Sequence, residues 1–162
     1  MYRWLIFFHI LGVFGFLLSH GASVHMAFAV QRERDLDRLR ALLQLSASSY
    51  RTMYPSLLVI VLTGILAGFQ GQWWQSGWIW ASLVLLIAIA AAMYPLGTAI
   101  FGAARSAIGM PHLENGEMLP GEATKSPEEI DAILKKANPV LLAVIGYGGL
   151  ALLAWLMVLK PF

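Results

Sequence analysis

The chain has 162 residues, of which 59% are hydrophobic and 12% charged, and its mean hydropathy is +0.69. That is too apolar for an ordinary soluble domain and points to an integral membrane protein of one domain. Eleven basic residues nearly cancel against nine acidic ones, which suggests no nucleic acid, and the absence of cysteine removes disulfides, iron–sulfur clusters and thiolate metal sites.

Four apolar segments reach the roughly 20 residues that a helix needs to cross a hydrocarbon core of about 30 Å. The first is Trp4–Val30. Ala27-Phe28-Ala29 near its end imitates a signal-peptidase site, but the apolar run exceeds a signal core and cleavage would leave QRERDLDR near the new terminus. It is expected to stay as a span. In the following RERDLDRLRALLQLS, Leu36, Leu39 and Leu43 recur at helical spacing among arginines, the pattern of an amphipathic helix lying on the membrane surface. The second span, Met53–Phe69, is the shortest and carries Gly64 and Gly68 as a small-xxx-small packing motif. The uncharged connection GQWWQSGWIW follows, rich in tryptophan as interfacial belts are. The third span, Trp78–Ala104, contains Pro95, which predicts a kink. A loop rich in Gly, Pro and Glu then leads to SPEEIDAILKK, where Ser126 and Glu129 form a capping box with Pro127 at the first helical position. The fourth span is Val140–Leu159, with a smooth GYGG stretch.

The fold class expected is therefore all-α, a polytopic four-helix bundle in the lipid bilayer with short interfacial helices in two loops. Those loops carry Arg32, Arg34, Arg38, Arg40, Arg51, Arg105, Lys125, Lys135 and Lys136, against Arg3 and Lys160 on the other side. By the positive-inside rule both loops face the cytoplasm and both termini face out, in a bacterial cytoplasmic membrane. No span contains Asp or Glu, so no carboxylate proton relay or carboxylate metal site lies in the membrane.

The stretch SHGASVH inside the first span is the chemical anomaly, because histidine is costly in lipid. At about 100° per residue, His9 and His20 fall within about 20° of one another, with Gly12, Val13, Phe16 and Ser23 on the same broad stripe. Their axial separation of about 16 Å is too long for one iron and suits two stacked haem sites. His9 would serve an outer haem and His20 an inner one, each through an axial imidazole. Gly12 would give a macrocycle room, Phe16 would pack on it, and Ser23 would hold an imidazole N–H or a propionate. His25 points about 160° away and is a weaker ligand candidate. No other span holds a histidine, so the second axial ligand comes either from Met93, matched in depth to His20, or from a homodimer through the first helix.

WLIFFHILGVFGFLLSHGASV, QRERDLDRLRALLQLS and GQWWQSGWIWASL together resemble an uncharacterised bacterial family of four-helix membrane proteins grouped with copper-resistance-protein-D-like proteins. The opening segment also resembles the first helix of HemJ-type protoporphyrinogen oxidases. That likeness implies a haem b protein in which His9 matches a family histidine. The HemJ-type proteins also use an intramembrane lysine, and the spans here have none. The expected activity is accordingly haem binding in electron transfer or haem handling, with a redox partner that the residues do not name. Two other readings remain open. Met26, Met110, His112 and Met118 could handle copper, and the small-residue motifs could serve a non-catalytic subunit of a larger membrane complex.

Overall fold

The structure is a computed structural model that describes residues 1–114, 117–121 and 123–162. It is helical almost throughout. Helices α1 (Tyr2–Arg32) and α2 (Leu36–Gln70) form an antiparallel pair joined by a three-residue turn. A short 3-10 turn at Trp73–Gln75 leads into α3 (Gly77–Met93), a π-turn (Tyr94–Ala99) and α4 (Ile100–Ala107). Strands β1 (His112–Glu114) and β2 (Glu117–Leu119) pair antiparallel, and α5 (Pro127–Lys135) and α6 (Pro139–Leu159) complete the chain. Four helical stretches are long and apolar enough to cross a membrane. Helix α1 packs on α2 and α6, and α3 packs on α6.

Local chemistry explains the helix ends. The Asp35 carboxylate caps α2 by accepting from the N–H groups of Asp37 and Arg38. Ser126 and Glu129 form the reciprocal capping box on α5, with Pro127 at its first turn. Pro95 does not break the third span; it falls in the π-turn, where wider winding absorbs the missing N–H.

The first loop differs from its sequence-based expectation. Leu36–Leu45 begins α2 instead of forming a separate surface helix. The reason is visible in the packing. Leu39 and Leu43 are buried with Val30 of α1, Ala107 and Ile108 at the end of α4, and Ile130 and Leu134 of α5. At 1.5 Å per residue α1 and α2 are about 46 and 52 Å long, so both extend past a hydrocarbon layer of about 30 Å. The tightest apolar core sits in that extension. Within the spans, Phe14, Leu18, Leu58, Val84 and Ile87 remain exposed on the bundle surface, as lipid-facing side chains do. Asp131 of α5 bridges Arg34 (2.8 Å) and Lys135 (2.6 Å), and the Gln31 side-chain amide donates to the Ala137 carbonyl at 2.8 Å. These contacts clamp α5 onto the end of α1.

The opposite end gathers both termini around the tryptophan turn. The Trp78 N–H donates to the Phe162 carbonyl (3.1 Å), Tyr2 meets Trp73 edge-on (5.8 Å), and the Lys160 ammonium lies 4.1 Å above the Trp73 ring. Both termini and the α2–α3 turn therefore share one end, and the charged connections share the other.

Candidate functional site

Small residues bring α1 and α2 together. A Cβ on Gly12 would lie 3.0 Å from Ile60 and 3.2 Å from the Ser56 carbonyl oxygen, and one on Gly15 would lie 2.6 Å from Ser56 Oγ. Gly12 thus serves as a helix-crossing point against α2. This close approach places His9, one turn away, against the α2 backbone. Its Nδ1 lies 3.0 Å from the Ile60 carbonyl oxygen and 3.2 Å from Thr63 Oγ1. The carbonyl can only accept, so Nδ1 carries the proton and Nε2 keeps the lone pair. Among the described residues Nε2 has no hydrogen-bond partner, and it is not one of the buried unpartnered atoms, so it is open to the surroundings of the chain. Gly64 fixes the ring from behind, since a Cβ there would come within 3.2 Å of Cε1. Backbone-anchored Nδ1 with a free Nε2 is the arrangement that metal-bound imidazoles commonly show.

His20 has different surroundings. It is 7% exposed, lies parallel to Phe16 at 5.9 Å, and meets the edge of Tyr147 at 5.5 Å. Its Nε2 is buried without a hydrogen-bond partner among the described residues. That nitrogen abuts α6 at Gly146, where a Cβ would come within 2.1 Å of it. Only glycine at position 146 lets the imidazole lie there.

Beside His20 is a cavity of about 220 Å³ whose walls include Phe16, Ser23, Met93 and Gly146. The depth match between His20 and Met93 thus becomes a shared wall. Tyr50, Tyr54 and Tyr94 also line it, and the π-turn supplies Gly97. A haem does not fit at His20 in this arrangement. The donor nitrogen points at α6 with no gap for a macrocycle, and the cavity lies below the roughly 300–1,000 Å³ of pockets for drug-sized ligands.

His9 and His20 share the inward side of α1, but the chain does not bring them to one site. His9 meets α2, and His20 meets α6. The outward stripe of α1 carries Trp4, Phe7, Leu11, Phe14 and Leu18, all exposed. A second copy docking on α1 would meet this stripe before either histidine. His25 is exposed and Met26 is buried. Among the copper candidates, His112 is buried, whereas Met118 is 70% exposed. Among the described residues no group of three or more His, Asp or Glu could hold a metal ion. A haem iron needs only one or two axial side chains.

Three parts of these sites carry little signal in the sequence. The Ile60 carbonyl carries no side-chain signal. Gly146 was visible only as part of a smooth GYGG stretch. Tyr50 and Tyr54, stacked at 5.8 Å, stand one helical turn apart where the arginine-rich connection gives way to the second apolar segment. No family model, curated protein or solved structure matches the chain.

Proposed function

We propose that this is a haem-b-binding protein of a bacterial cytoplasmic membrane, acting in electron transfer or haem handling, with His9 as an axial ligand. The observation that carries it is the His9 imidazole, anchored through Nδ1 to the Ile60 carbonyl with Nε2 unbonded. The resemblance of the first helix to haem-binding HemJ-type proteins supports the same residue. Bound haem would supply one-electron chemistry. The chain's own part is to hold the imidazole in one tautomer, with Gly12 and Gly64 setting the distance between α1 and α2. Because the space at His20 does not fit a macrocycle, the proposal is confined to the outer site.

His9 of the same chain is the one ligand proposed, since a second copy docking on α1 would meet the exposed stripe of Trp4, Phe7, Leu11, Phe14 and Leu18 before His9. The orientation proposed is both termini outside, from nine basic residues in the two long connections against two at the other end. A reporter active only in the cytoplasm is expected to be silent when fused at Phe162, and activity there refutes the orientation.

The deciding experiment is a reduced-minus-oxidised spectrum of protein purified from haem-replete cells. A b-type spectrum lost in His9→Ala and kept in His20→Phe is the expected result. A pigment-free wild-type preparation rejects the function, and full haem content in His9→Ala rejects the ligand.

A further inference from the structure

The cavity beside His20 is unused by the haem reading, and its features point to a ligand of its own. About 220 Å³ is more than the roughly 150 Å³ in which an apolar protein cavity holds benzene, and well short of a macrocycle. It has room for one substituted six-membered ring. The walls are mostly apolar side chains from all four spans, with Phe16 and Met93 offering an aromatic face and a polarisable thioether.

Among its polar groups, His20 and Ser23 stand together on α1. His20 is 7% exposed, and its ring makes no hydrogen bond among the described residues. Ser23 follows one helical turn later on the same wall. His20 Nε2 is sealed against Gly146, so the nitrogen left to a ligand is Nδ1. Nδ1 has no hydrogen bond among the described residues and is not one of the buried unpartnered atoms; a ligand oxygen in the cavity can accept from it. Tyr54 and Tyr94, which also line the cavity, are 58% and 59% exposed on the bundle surface. The cavity therefore has its mouth on the lipid-facing side between α2 and the π-turn.

We infer that this cavity binds the ring head of a membrane quinone, with a ring oxygen hydrogen-bonded at His20 and Ser23. The size selects a single ring, the polar pair selects a ring bearing oxygen, and the lateral mouth selects a lipid-soluble molecule with a tail. The inference rests on the cavity and stands apart from the haem at His9.

The test uses the full chain in nanodiscs, titrated with a decyl-tailed ubiquinone analogue and followed by quenching of tryptophan fluorescence. Saturable binding near one per chain is expected. His20→Phe and Ser23→Ala should each weaken it roughly tenfold, the scale of one lost hydrogen bond. Ala90→Phe places a ring in the cavity from α3 and should abolish saturable binding. It retains the His20 and Ser23 side chains, so it reads occupancy of the space. Thermal unfolding of each variant identifies any that fail to fold, leaving the others to decide. Non-saturable partitioning, or wild-type affinity in folded His20→Phe and Ala90→Phe, overturns the inference. Loss of haem in folded His20→Phe also overturns it, by assigning the residue to iron, while leaving a haem function standing. A pigment-free protein that still binds the quinone separates the two readings in the other direction.

Discussion

Gly146→Ala tests the contact on which the α1–α6 packing turns. Alanine is the better helix former by about 1 kcal/mol. The new methyl would nevertheless sit 2.1 Å from His20 Nε2 and 2.7 Å from Cε1, so the ring or the helix must move. Overpacking of this kind costs about 1–3 kcal/mol. The net expectation is a loss of up to about 2 kcal/mol in an otherwise native chain. In a His20→Ala background the clash partner is gone, and the same substitution should become stabilising by about 1 kcal/mol. The sign change corresponds to a coupling of about 1–3 kcal/mol, within the range of residues in direct contact. Equilibrium unfolding of the four proteins in mixed micelles measures the cycle. Additive effects, with Gly146→Ala shifting stability equally in both backgrounds, refute the placement of His20 against α6.

Three further predictions concern the charged end. Leu134→Ala, in the tight core, should cost about 2–5 kcal/mol, whereas Leu18→Ala, 76% exposed on the lipid face, should change stability by less than about 0.5 kcal/mol; equal losses in micelle unfolding would place the core elsewhere. Ser126→Ala removes half of the capping box and should cost about 1 kcal/mol, seen as faster amide exchange confined to α5. The hydrogen bond from Lys135, together with the facing Arg34 charge, holds the Asp131 carboxyl below its usual range. Its stabilisation is thus present above the ordinary carboxylate pKa and lost as pH falls through the lowered folded value. Asp131→Asn should reduce stability at neutral pH and flatten the acid limb of the unfolding profile, and an unchanged acid limb argues against the Arg34–Asp131–Lys135 bridge.

Properties that depend on a short stretch of chain were legible in the sequence alone. Span existence follows from local hydropathy, and an even number of spans puts both termini at one end. The Ser126–Glu129 cap is likewise a local event, whereas at Pro95, where the sequence predicts a kink, the structure has a π-turn. The pairing of His112–Glu114 with Glu117–Leu119 falls where the sequence predicts a loop rich in Gly, Pro and Glu, although Asn-Gly, which stands between the two strands in the sequence, is a dipeptide that favours hairpins. The helical period also placed His9 and His20 on one side of α1. Only tertiary structure decided what that side meets. Lipid tails are as apolar as leucine, so hydropathy does not distinguish a lipid-facing stripe from a helix-facing one. For the same reason, Leu39 and Leu43 read as a membrane-surface face when they are the core of the charged end. The anchor of His9 is a backbone carbonyl 51 residues away, and the notch that receives His20 is the missing side chain of a glycine on the last helix. Neither leaves a pattern around the histidines themselves, because each belongs to the helix across the contact.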